Sequence, residues 1–135
     1  MVLTRKPSYS LEERDSVYRT LVYIAGRTQN GVNVVIDATG NLRRYRENAR
    51  NRISSFIEVY LECPLETCDE RETTRAVTHY EPRQIYQRAG EGKAPTVPGI
   101  GQPYEAPSNP EIVLDTTKCL PMESAREVLK KISYG

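Results

Sequence analysis

The 135 residues carry 19 Lys+Arg against 18 Asp+Glu, a formal net charge of +1, with 27% charged and 38% hydrophobic residues. A chain of this length suits a single domain, residues 1–135, around one core, and the charge balance excludes the global positive field on which nucleic-acid binders rely. No apolar run approaches the roughly 18 residues of a membrane span, the opening MVLTRKPSYS lacks a secretory apolar segment, and Cys63, Cys68 and Cys119 with the lone His79 lack the spacing of a zinc set, so a cytoplasmic protein with reduced cysteines, away from membranes and nucleic acids, is expected.

The first predicted element is a helix. In SLEERDSVYRTLVYIAGRTQNG, Ser10 with Glu13 three residues later makes a capping box. Leu11, Val17, Leu21, Ile24 and Ala25 recur at helical spacing as a buried stripe, and Asn30-Gly31 ends the helix. The β-branched run VNVVID, residues 32–37, predicts a strand covered on both faces. ATGN is a turn, and Leu42 to about Arg52 a second helix. FIEVYLEC then predicts a second strand and PLETCDERE a helix with proline near its start. Residues 73–110 are charged and rich in Gly and Pro, with one short helical candidate, PRQIYQRAGEG; such a stretch in a small domain predicts a functional lid. EIVLDT predicts a third strand and PMESAREVLKKI a closing amphipathic helix. The alternation of strands and helices argues for an α/β fold with a largely parallel sheet.

In such a sheet the ligand lies beyond the carboxyl ends of the strands. Asp37 follows four apolar residues at such an end, where a carboxylate can hold a hydrated magnesium ion beside nucleotide phosphates. On the second helix Arg43, Arg46 and Arg50 share one face, while Leu42, Tyr45, Ala49 and Ile53 form another that packs inward. A nucleic acid would need a broader patch interleaved with stacking aromatics. A small anion needs only two or three arginines in a cleft, and a solvated face stays open for Arg43, Arg44 and Arg52. Arg14 stands at the amino end of its helix, where its charge opposes the helix dipole and an anion would suit it. Arg83, Arg88 and Lys93 lie in the lid, placed to close over phosphates. The chemistry these groups suggest is phosphoryl transfer.

Three stretches, YSLEERDSVYRTLVYIAGRTQNGVNVVIDATGNLRRYRENAR, IEVYLECPLETCDER and IYQRAGEGKAPTVPGIGQPYEAPSNPEIVLDTT, together resemble the adenylylsulfate kinases, the P-loop kinases of sulfate assimilation. The resemblance runs in order over residues 8–117 and is most specific at IYQRA, at the Gly-Ile of PGIGQPYE and at P..PE. It implies a P-loop kinase-type α/β fold with a three-layer parallel sheet, and transfer of the γ-phosphoryl of ATP to the ribose 3′-hydroxyl of adenylyl sulfate, with Mg2+. Position by position it implies that Arg14 and Tyr9 meet the substrate, that Thr39, Gly40 and Asn41 are the substrate loop, and that Arg46, Asn48 and Arg50 belong to the helix following it, whose Arg46 and Arg50 face is expected to bind the substrate anion. It further implies substrate contacts at Arg83 and Val97 in the lid, cofactor contacts at Arg71 and Thr116, and at Asp37 the catalytic carboxylate that holds Mg2+ through water.

The departures also carry information. Thr39-Gly40-Asn41 stands where the family commonly has Ile-Ser-Pro, so the serine that some members phosphorylate is absent. Val17 replaces an asparagine and Val97 a phenylalanine. DATGN also resembles the loop of other small-molecule P-loop kinases, so a different small hydroxyl acceptor is an alternative reading. The phosphate-cradling Gly-x-x-x-x-Gly-Lys-[Ser/Thr] does not occur in these residues; GEGKAPT has the wrong spacing. By resemblance the chain corresponds to the C-terminal two-thirds of the kinase, with the first strand, P-loop and first helix missing. The strands at 32–37 and 57–62 would then each keep an unpaired edge. That predicts poor stability and no useful ATP chemistry by this chain alone, with a homodimer, a partner supplying the missing part, or a non-catalytic relic as alternatives.

Overall fold

The computed structural model describes residues 8–75, 85–92 and 97–133. In chain order the elements are α1 (Leu11–Thr28), α2 (Arg43–Arg52), β1 (Val59–Glu62), α3 (Leu65–Thr74), α4 (Ile85–Gly90), β2 (Ile112–Asp115) and α5 (Pro121–Ser133). Two compact units divide them: Met1–Phe56 with Tyr104–Ala106, and Ile57–Pro103 with Pro107–Gly135.

The first unit is a helix pair. Ser10 caps α1, its hydroxyl accepting from Glu13 N at 3.2 Å. The Glu13 carboxylate reaches back to accept from Ser8 N at 2.6 Å and Tyr9 N at 2.7 Å, so the expected box forms about one to two residues wider than its minimal version. Val22 and Ala25 of α1 pack with Ala49 of α2 and with Ile53, flanked by Phe56. The buried arc of α1 is narrower than its sequence period suggests: Ala25 is buried as expected, Val22 joins it, and Leu11 and Ile24 are 56% and 40% exposed. One neighbouring helix covers only one narrow arc.

The run at 32–37 does not form a strand; its residues join no ladder, and Val35 is 89% exposed. β-branched side chains favour extended backbone, yet strand pairing also needs a neighbour to exchange N–H and C=O groups. The two described strands pair with each other instead.

That pair lies in the second unit and is parallel, with Val59 opposite Ile112 and Glu62 opposite Asp115. The described sheet therefore has two strands where the sequence predicts three, and both lie inside their predicted ranges. A parallel pair requires a crossover, which α3 and α4 supply. Pro64 stands at the N-cap of α3, and Pro121 opens α5, positions that cost no helical hydrogen bond. Leu114 is buried, whereas Met122, Leu129 and Ile132 on α5 remain exposed. Of the predicted lid, residues 73–75, 85–92 and 97–110 are described; Arg83, Lys93 and His79 lie outside the described residues.

Candidate functional site

In the first unit the predicted substrate loop is held at Gly40. Its backbone φ of +52° is left-handed, and a side chain there would meet Arg46 Cγ at 3.4 Å. Gly40 N donates to the Tyr18 hydroxyl at 2.8 Å, and its carbonyl accepts from Arg46 Nη1. The other arm of Arg46, Nη2, donates to Glu105 O, and the guanidinium lies 5.7 Å from the Tyr104 ring centre. Glu105 in turn accepts the Arg43 N–H on its carboxylate at 2.7 Å and donates its own N–H to Asn41 O at 2.8 Å. The Arg43 side chain donates to Ala106 O at 3.0 and 3.3 Å. Leu42, at the N-cap of α2, has no side-chain cap, so Glu105, more than 60 residues along the chain, serves that end of the helix.

The arginine helix thus spends much of its charge on carbonyls. Arg50 stacks 5.3 Å from the Phe56 ring centre, Arg52 Nε donates to Asn48 Oδ1 at 2.8 Å, and Arg44 pairs with Asp15 at 2.7 Å. Asp15 also accepts from the Tyr45 hydroxyl at 2.8 Å. That hydrogen bond, with Arg44 behind it, holds its carboxyl below the usual range, while burial pushes the Tyr45 phenol up. Arg14 donates from Nε to Tyr9 O at 3.3 Å, and Tyr9 itself adopts a φ of 55°. The structure therefore brings Tyr9 to Arg14, and Gly40 to Arg46. Thr39 and Asp37 are exposed, and Asn41 is buried.

Sequence reasoning missed the parts played by Tyr18, Asp15, Tyr45 and Glu105. Tyr18 sits one turn after Arg14, and Tyr45 belonged to the predicted inward face, so spacing hinted at both. Nothing in spacing could join Glu105 to α2.

The second unit carries a separate cluster at the carboxyl ends of β1 and β2. Arg71 Nη2 donates to Thr116 O at 2.7 Å, and Nη1 donates to Thr116 Oγ1 at 3.2 Å and to Cys63 Sγ at 3.6 Å. Thr116 closes the strand pair, its N–H and hydroxyl both donating to Glu62 O at 3.0 Å. Two residues assigned to the cofactor by resemblance, 45 positions apart in sequence, thus touch. Just beyond, Asp115 accepts from Lys118 Nζ at 2.6 Å and from Thr117, which pulls its carboxyl down to about 2. Val97 is buried, and its carbonyl accepts from Gly101 N at 2.9 Å and Gln102 N at 3.0 Å. The three thiols are free and half-buried, and burial, with Cys63 beside it, raises Cys68.

A nucleotide suits the Arg71–Thr116 corner, where a planar donor fork lies at the ends of parallel strands. Among the described residues no cluster of three or more His, Cys, Asp or Glu is placed to hold a metal ion. Asp37 is a single exposed carboxylate. That fits an ion such as Mg2+, which takes one carboxylate and completes its shell with water and phosphate oxygens. No described helix is long and apolar enough to cross a membrane.

Comparison with known proteins decides the family. The sequence profile of adenylylsulphate kinase matches residues 1–115. The chain belongs to the adenylylsulphate kinase family. It is 36% identical over 132 residues to an adenylyl-sulfate kinase of Picosynechococcus sp., covering 97% of this chain and 70% of the relative. A probable adenylyl-sulfate kinase of Pseudomonas aeruginosa is 31% identical over 98% of this chain and 58% of its own length. One from Archaeoglobus fulgidus is 36% identical over 82% of this chain and 66% of its own length. The chain thus spans about three-fifths to seven-tenths of the length of these kinase relatives, and the family implies the P-loop kinase fold, to which the small parallel sheet conforms.

Proposed function

We propose that this chain takes part in transfer of the γ-phosphoryl of ATP to the 3′-hydroxyl of adenylyl sulfate. The observation that carries the reading is the family match across residues 1–115, which takes in both the Gly40 loop and Arg71. In this reading Arg14 and Tyr9 meet the sulfate and phosphate of the acceptor, and Thr39, Gly40 and Asn41 frame its nucleoside. Arg46 and Arg50 act through the shape of that loop and the charge behind it. Arg83 and Val97 close over the acceptor. Arg71 and Thr116 hold the nucleotide of ATP. Asp37 holds the metal through water; when bound, Mg2+ neutralises charge on the transferred phosphoryl. The backbone cradle for the phosphates is supplied by polypeptide outside residues 1–135, in the same chain or a partner. Reduced thiols accord with action in the cytoplasm.

The test follows labelled γ-phosphate from ATP with the chain joined to a preceding segment bearing Gly-x-x-x-x-Gly-Lys-[Ser/Thr]. Label on adenylyl sulfate, with the rate falling at least a hundredfold in Asp37→Asn, is expected. Preference for another hydroxyl acceptor would overturn the assignment of substrate; Thr39-Gly40-Asn41 in place of Ile-Ser-Pro is the feature that favours it.

A further inference from the structure

The grip on Gly40 N–H is one end of a chain of contacts that runs through the first unit. The Tyr18 hydroxyl accepts from it across 22 positions of sequence. The Tyr18 ring is not at liberty to swing away: it stacks on Tyr45 with ring centres 4.1 Å apart and planes 15° from parallel. Tyr45 is buried, and its hydroxyl is bonded to Asp15, on the oxygen that also receives Arg44. Asp15 and Tyr18 come from α1, Tyr45 and Arg44 from α2, so the two helices fix Tyr18 between them.

We propose that Tyr18 is a positioning residue for acceptor binding, with Tyr45 and Asp15 as its support. This rests on the reading of residues 39–41 as the loop that meets adenylyl sulfate. Gly40 is buried and left-handed, and its two peptide groups are held at both ends, the N–H by Tyr18 and the carbonyl by Arg46. A left-handed residue has several neighbouring conformations to escape to, and each would turn the peptide between Thr39 and Gly40 and redirect the residues beside it. The phenol oxygen favours the one in which that N–H faces α1. A tyrosine present only to fill space would do the same work without its hydroxyl.

The experiment is therefore Tyr18→Phe, which keeps the ring and its stack and removes only the acceptor. Gly40 amide exchange, read by NMR on the 135-residue chain, and calorimetric affinity for adenylyl sulfate are measured together. Loss of this half-buried hydrogen bond predicts Gly40 exchange faster by about tenfold and affinity weaker by about tenfold, with the Val22 and Ala25 amides unchanged. An unchanged Gly40 amide, or unchanged affinity in a chain that binds adenylyl sulfate, overturns the proposal while leaving the functional reading intact. A wild-type chain that does not bind adenylyl sulfate overturns both. Should Tyr18→Phe fail to fold, Tyr45→Phe retains the Tyr18 hydroxyl and removes the Tyr45 hydroxyl with its links to Asp15 and Arg44. It predicts severalfold faster Gly40 exchange, and an unchanged rate overturns the supporting chain.

Discussion

At the residue scale, Asp115 and Lys118 show how a turn beyond a strand sets a charge. The Asp115 carboxyl sits at about 2, below its ordinary 3.8, chiefly because Lys118 and then Thr117 donate to it. A depressed carboxyl contributes stability that is complete above 3.8 and is lost as pH falls toward about 2. Lys118→Met is therefore expected to raise the Asp115 midpoint in an NMR titration toward 3.8 and to flatten the acid limb of stability across that window. A midpoint that stays put would show that Thr117 alone holds the carboxylate. Gly40→Ala is expected to cost about 1–2 kcal/mol in chemical denaturation, since an L side chain pays about that much in left-handed backbone and Arg46 stands 3.4 Å from the new carbon. Arg14, Gly40, Arg46 and Arg71 could all be singled out in the sequence. Their partners could not, because hydrogen bonds to Tyr9 O, Glu105 O and Thr116 O depend on where backbone runs, which residue type does not reveal.

At the scale of elements, the helices were the most legible. Ser10 and Glu13 mark the start of α1, and Pro64 and Pro121 mark α3 and α5, because capping and proline chemistry are local. Ser10→Ala is expected to lower stability by about 1 kcal/mol, read as a lower denaturant midpoint, and an unchanged midpoint would assign the cap to the Glu13 carboxylate instead. The strands at 59–62 and 112–115 were legible for a different reason: each finds the other in register. Residues 32–37 read just as clearly as a strand, yet pairing is a property of two segments, and the signal in one cannot report whether the second is alongside. Similarly, α5 shows its amphipathic pattern in sequence, but what covers its Leu129 and Ile132 is not written in that pattern.

At the scale of the molecule, a set of large apolar side chains faces solvent, among them Val32, Val35, Leu61, Val113, Met122 and Leu129. Val32 and Val35 are exposed β-branched residues in a run that pairs with no strand among the described residues, a combination that invites association through that segment. Val35→Lys is expected to reduce light scattering of concentrated samples while leaving helical circular dichroism unchanged. Undiminished scattering would place the association elsewhere, with the faces of α5 next to be tested.

We propose that this adenylylsulphate kinase family chain recognises adenylyl sulfate through its first unit. The most direct test is a calorimetric titration of the 135-residue chain with adenylyl sulfate, wild type beside Arg14→Ala. A saturable one-to-one isotherm is expected, weakening by about tenfold or more when Arg14 is removed, as for a lost charge-assisted contact of about 1.5–3 kcal/mol. No heat of binding, or the same isotherm from both proteins, would contradict it.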